Sequence, residues 1–148
     1  VNILGAAREL DQKKLAFSEE ALAELSVLCR AVKDIVKTAV TVFEEKDTVL
    51  AGKVEPLEEV IDELNQELKK RHVQRLRDEK CTIEMGFILS DIITDLERVA
   101  DHCSNIAVAL IELESDSFDT HEYLNSLKEL KSDMYERYYE EYRRVYQL

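Results

Sequence analysis

Asp91-Ile92-Ile93-Thr94-Asp95-Leu96-Glu97-Arg98-Val99-Ala100-Asp101-His102-Cys103-Ser104-Asn105-Ile106 is the stretch on which the fold turns. Apolar residues return here every three or four positions, and the pattern continues to both sides. The resulting stripe is Met85, Leu89, Ile92, Leu96, Val99, Cys103, Ile106, Leu110 and Leu113. That spacing predicts one long helix with a single core-facing side. Thr82 is placed to cap its start, and Ser115 to Ser117 break it. Glu97 and Asp101 stand four apart within it, so they share a face one turn from each other. Two like charges so placed cost a helix roughly 0.2–0.5 kcal/mol. A bound cation is the simplest thing to offset that cost. Stepping about 100° per residue, the pair points nearly opposite the stripe, toward solvent or a neighbouring domain. Asp95 and His102 flank the stripe, and Cys103 falls on it as a small core residue.

The same periodicity runs outward in both directions. Asn2 to about Lys14 reads as a short helix. The first long helix starts at Ser18, with Glu19 and Glu20 at its positive end and Phe17 placed to staple onto Leu22. Its stripe is Leu22, Leu25, Cys29, Val32, Ile35/Val36, Ala39 and Phe43. Asp47 or Thr48 can cap the next, whose stripe is Leu50, Val54, Leu57, Ile61, Leu64, Leu68 and Leu76. Pro56 lies inside that pattern, so the helix kinks there or begins near Glu55. Arg77 to Lys80 reads as a polar connection. The last helix carries Leu124, Leu127, Met134, Tyr138, Tyr142, Val145 and Leu148, with Tyr135, Tyr139 and Tyr146 as amphipathic rings closing the bundle edge. Short connections set neighbouring helices antiparallel. The expectation is an all-α fold, an antiparallel bundle of long helices, occupying residues 1–148 as one domain.

Composition agrees. The 148 residues include three Gly and one Pro, too few turn residues for a sheet. No apolar run is long enough to span a bilayer, and Arg8, Glu9 and Asp11 interrupt any leader-like stretch. A net charge of −12 excludes nucleic acid as a partner and favours cations or basic partners. Cys29, Cys81 and Cys103 are odd in number and far apart, which fits a reducing compartment.

Among the candidate sites, Glu58 and Asp62 repeat the Glu-x-x-x-Asp spacing of Glu97 and Asp101 on the flank of the second long helix. Carboxylate oxygens suit hard ions such as magnesium, calcium, manganese or ferric iron. Against this, acidic pairs four apart are common in a chain with 32 acidic residues, as in Glu55/Glu59, Glu59/Glu63 and Glu63/Glu67. Arg98 could also neutralise the face without a metal. His72, His102 and His121 are scattered, and no Glu-x-x-His, Gly-rich phosphate loop, G-x-S-x-G or H-E-x-x-H occurs. Enzymatic catalysis is not expected. Lys69, Lys70, Arg71, His72, Arg75 and Arg77 form a basic cluster at a helix end, where Glu67 and Arg71 can pair. A solvated helix end and a contact with anionic lipid head groups, through Lys69, Lys70, Arg71 and Arg75, are the two readings.

A faint internal repeat aligns Asn2-Ile3-Leu4-Gly5-Ala6-Ala7-Arg8-Glu9-Leu10 with Asn105-Ile106-Ala107-Val108-Ala109-Leu110-Ile111-Glu112-Leu113, and Phe17-Ser18 with Phe118-Asp119. On this reading residues 1–14 are the tail of a preceding, truncated repeat.

Asp95-Leu96-Glu97-Arg98-Val99-Ala100-Asp101-His102-Cys103-Ser104-Asn105-Ile106-Ala107 resembles the signature helix of the PhoU family, close to D-L-E-R-I-G-D-H-x-x-N-I-A. Glu58-Glu59-Val60-Ile61-Asp62-Glu63-Leu64 resembles the helix before it. Arg71 to Leu76, Cys81 and the tail Tyr138 to Leu148 look like the PhoU-like C-terminal region of bacterial Na/Pi-cotransporter proteins. Ala100 departs from the family's usual Gly, and its methyl is expected to press on a neighbouring helix. The resemblance implies a three-helix repeat with a short leading and a trailing helix. It implies a non-enzymatic regulator of sodium-dependent phosphate uptake on the cytoplasmic side of the cell membrane. The full-length protein would then be an integral membrane protein, with this segment soluble. The implied metal site falls on Glu97 and Asp101, then Glu58 and Asp62, for an iron, manganese, magnesium or zinc ion. The implied partner is the transporter's membrane part in the same polypeptide, with homo-oligomers as a further expectation. A free-standing PhoU-type regulator and a metal-free helical interaction module are the alternatives.

Overall fold

The computed structural model describes residues 2–115 and 121–148, with the side chains of 3–113 and 132–148. Phe118 and Asp119, and the side chains of His121, Leu124 and Leu127, lie outside the described residues. Six helices follow one another: α1 (Asn2–Lys13), α2 (Glu19–Glu45), α3 (Thr48–Ala51), α4 (Val54–Arg77), α5 (Ile83–Ser115) and α6 (His121–Val145). No strand occurs among the described residues.

The helix starts are chemically determined. Ser18 Oγ accepts the Ala21 amide at 3.2 Å, and Thr82 Oγ1 accepts that of Met85 at 3.2 Å. Asp47 Oδ1 takes the Val49 and Leu50 amides, each at 2.9 Å. Each bond satisfies a donor that the first turn would otherwise leave bare. Asp47 therefore opens a four-residue helix, α3, and the second long pattern is split. α4 begins afresh at Val54, which puts Pro56 in its first turn. Proline lacks an N–H that would have had no partner there, so no kink follows.

α2, α4 and α5 pack against one another as the central bundle. Leu28 and Ile35 of α2, Leu57, Ile61 and Leu68 of α4, and Leu89 and Ile93 of α5 are the large side chains sealed between them. Each such residue contributes roughly 1.5–3 kcal/mol when fully buried. α4 runs antiparallel to its neighbours: Arg75 meets Glu24 of α2, while Lys69 meets Glu97 of α5 and Glu55 meets Ser104. α1 lies on α5, with Lys13 on Glu84 at 2.6 Å.

α6 keeps the expected alternation of direction but takes an unexpected neighbour. It packs on α4 rather than on the helix before it, and runs parallel to α4. Lys53 sits 4.8 Å over the Tyr138 ring, Tyr139 donates to Glu63, and Arg71 reaches the Leu148 carbonyl at 3.3 Å. The tyrosines do close the bundle edge: Tyr146 is buried, and Tyr139 and Tyr142 pack against the core.

Two stripes are rotated from their expected phase. On α2 the buried set is Ala21, Glu24, Leu25, Leu28, Ala31, Val32, Ile35, Ala39 and Val42. Leu22 and Phe43 stand 52% and 69% exposed, while Phe17 packs on the core. On α5 the buried positions are Met85, Ile88, Leu89, Ile93, Leu96, Ala100, Cys103 and Ala107, while Ile106 and Leu113 face solvent. Alanine decides both cases, because its small side chain lets helix axes approach where a wheel weighted by side-chain size sees little. Ala100 has no exposed surface.

Candidate functional site

The rotation of α5 moves its acidic pair. Glu97 and Asp101 do not point away from the bundle; they edge the groove between α4 and α5. Glu97 receives Lys69 of α4 at 3.0 Å. Across the groove Glu58 and Asp62 lie half-buried. All four sequence-derived candidates thus share one seam. Ser104 donates its hydroxyl to Glu55 at the end of the seam nearest the α4 start.

The seam is electrostatically unbalanced. Burial, then the charges of Asp62, Glu55, Asp101 and Glu59, push the Glu58 carboxyl up to about 7. Burial, then Glu97, Asp101 and Glu59, raise Asp62 as well, and Lys69 counters in part. Each carboxylate is thus harder to ionise because of the others, the behaviour of like charges sharing a desolvated site. Perturbed carboxylates on one surface are a physical mark of function. The donor set is all oxygen, which fits a hard cation. Among the described residues, no three His, Cys, Asp or Glu side chains converge into a group able to hold a metal ion. The seam therefore offers pairs of carboxylates, not a closed cage.

The basic cluster is placed differently from its reading as a lipid contact. Arg75 is buried on α4 and forks onto Glu24 of α2, at 3.0 Å to Oε1 and 2.8 Å to Oε2, the second contact lying off the straight hydrogen-bond line. Arg71 holds Glu24 at 3.3 Å and Glu67 at 3.1 Å, and Lys70 holds Glu67 at 3.4 Å. Lys69 belongs to the acidic seam. Arg75 cannot reach a membrane surface, and the other three cations already face carboxylates of the protein.

Glu24 and Asn65 carry no sequence signal as site residues, and His72 reads there only as a scattered histidine in the basic cluster; all three are buried. Glu24 stands three positions after Ala21 and four before Leu28, so it shares their buried side. Asn65 and His72 lie in the same way on the buried side of α4. His72 Nδ1 is 3.8 Å from Cys81 Sγ, and Gly86 leaves room for the ring, since a Cβ there would come within 2.5 Å of Nε2. Burial, assisted by Arg75, lowers the affinity of His72 for a proton.

The PhoU domain family profile matches residues 25–110, a span that includes all four carboxylates of the acidic seam. A phosphate-specific transport system accessory protein PhoU homolog 1 of Thermotoga maritima is 31% identical over 114 residues. That alignment covers 77% of this chain and 48% of the relative, so the chain spans about half the length of the relative it matches. No solved structure matches the chain.

Proposed function

Since the chain belongs to the PhoU domain family, we propose that it regulates phosphate uptake as the cytosolic domain of a sodium-dependent phosphate transporter. Its partner is the membrane part of the same polypeptide. The observation that carries this reading is the α4–α5 seam, where Glu58, Asp62, Glu97 and Asp101 face one another with Lys69 as their nearby cation. Such a surface gains free energy from any positive charge brought to it. A hydrated hard divalent ion is one source, since magnesium binds through one or two carboxylates while keeping several waters. A basic loop at the inner mouth of the transporter is another. Either would let the domain respond to its surroundings without catalysis. The relative's description as an accessory protein of a phosphate transport system supports a regulatory role.

The uptake of labelled phosphate tests the reading. Cells carrying the full-length protein should lose their down-regulation of uptake in high phosphate when Glu97→Gln and Asp101→Asn are combined. Unchanged regulation in that variant would sink the role given to the seam. Thermal melts with magnesium or manganese separate the two sources of charge. A cation-dependent rise in Tm that vanishes in the double variant identifies the ion. Lost regulation with no such rise identifies the basic loop, and so the metal-free module. A free-standing regulator would show the same regulation from a polypeptide without membrane spans.

A further inference from the structure

The turn from α4 into α5 brings together two donors that the acidic seam does not use. Cys81 stands one position before Thr82, the cap of α5, and His72 lies on the buried side of α4. The imidazole is 8% exposed, and its Nδ1 faces the half-buried Cys81 thiol at 3.8 Å. The thiol proton has two acceptors within reach, this nitrogen and the Thr82 carbonyl at 3.5 Å. Nε2, on the far side of the ring, has no hydrogen-bond partner among the described residues. Gly86 makes the ring's place, since a Cβ there would stand 2.5 Å from Nε2. Glycine inside a helix costs about 1 kcal/mol relative to alanine. α5 thus gives up stability to admit a buried ring that the chain leaves poorly bonded, which packing alone does not explain.

We propose that Cys81 Sγ and His72 Nδ1 together bind one cuprous ion. A thiolate selects soft cations, Cu(I) among them. The spacing suits such an ion. At the bond lengths of a closed-shell first-row ion such as zinc, roughly 2.3 Å to sulfur and 2.0 Å to nitrogen, donors at a tetrahedral angle lie about 3.5 Å apart and donors on opposite sides about 4.3 Å. The observed 3.8 Å falls between these limits. Donor number and local charge then choose the ion. Zinc sites take three or four protein ligands, and among the described residues no third His, Cys, Asp or Glu joins this pair. A cuprous ion, with its filled d shell, is stable with two. Binding exchanges one ion for one proton: the S–H bond breaks, S–Cu and N–Cu bonds form, copper stays Cu(I), and the proton leaves to solvent. The charge of the site is therefore unchanged. A divalent ion would add a positive charge beside Arg75, which already opposes protonation of His72. Burial and Arg75 together keep the ring neutral and its Nδ1 lone pair free. The two sites thus differ in kind, with hard oxygens in the seam and soft sulfur with nitrogen at the turn.

Anaerobic titration of the purified chain with Cu(I), kept in solution by acetonitrile as a weak ligand, tests this. One ion bound per chain and one proton released per ion are expected. Cys81→Ser should abolish the binding. His72→Leu should weaken it about 100-fold, the upper end of what losing even an outer-shell partner costs. Circular dichroism checks that both variants remain folded. X-ray absorption of the loaded wild-type chain needs no variant, and it should show copper held by one sulfur and one imidazole nitrogen. Glu97→Gln with Asp101→Asn should leave binding unchanged, which separates this site from the seam. Loss of the ion in that variant would move it to the seam and overturn the proposal. So would a wild-type chain that takes up no Cu(I), an ion retained by Cys81→Ser, or a copper shell of sulfur alone. An affinity indifferent to His72→Leu in a folded variant would do the same.

Discussion

Two charged clusters share α4, and they are built on opposite logics. On the α2 side Glu24 and Arg75 are almost wholly buried, 4% and 8% exposed, and balance each other through a forked contact. On the α5 side Glu58, Asp62, Glu97 and Asp101 are half in solvent, with Lys69 on Glu97 as the neighbouring countercharge. Burying an ion is costly, so only a matched pair survives where Arg75 sits. Excess charge persists where water can still screen it. The balanced cluster holds two helices in register. The unbalanced one retains a capacity to bind.

This contrast is most sharply broken by Glu24→Gln. It leaves the Arg75 guanidinium buried without its counter-ion, and urea denaturation should show a loss of about 3–5 kcal/mol. Replacing both residues by methionine should recover most of that loss, because the cost lies in the stranded charge and not in the absent pair.

The opposite sign is expected across the groove. Glu58 binds its proton more tightly when folded than when unfolded, so its contribution to stability is fully present below about pH 4.5. That contribution is lost as pH rises toward about 7, where the folded carboxyl titrates. In metal-free buffer, Glu58→Gln should therefore raise stability at pH 8 and leave it nearly unchanged at pH 4. Allowing for solvent screening of a half-exposed group, the gain is about 1 kcal/mol. A pH-independent effect would show that Glu58 does not feel its acidic neighbours.

A smaller effect follows from Lys69→Met, which removes the cation on Glu97. Exposed pairs are worth about 0.2–1 kcal/mol, so the loss should fall in that range. It should shrink as salt is added. The same salt should leave the Glu24→Gln deficit standing, since a buried charge is poorly screened.

Much of this was legible beforehand, and the failures share a cause. The helix ends were readable because Ser18, Asp47 and Thr82 carry side-chain acceptors that make local bonds. The four seam carboxylates were readable from their spacing, and the fold joined them. The phase of the stripes was not. Leu22, Phe43, Ile106 and Leu113 outweigh Ala21, Ala100 and Ala107 on any hydrophobic scale, yet the alanines mark where helices touch. Glu24 and Arg75 are fifty-one positions apart and look like surface residues until α2 and α4 are laid side by side. Only their place on buried stripes, once correctly phased, hints at the pair. The partner of α6 was likewise a tertiary matter, because its contacts with α4 skip an intervening helix.

That skip shapes how the protein is made. Tyr146 bonds to Asp34 across 112 positions, and Tyr139 to Glu63 across 76. On the ribosome, α2, α4 and α5 can collapse together while α6 is still being synthesised. Because long-range closures are slow to form, α6 should dock last. Until it does, the α4 surface it covers stays open to chaperones or to other chains, and a stalled ribosome would display a bundle whose final strap is missing.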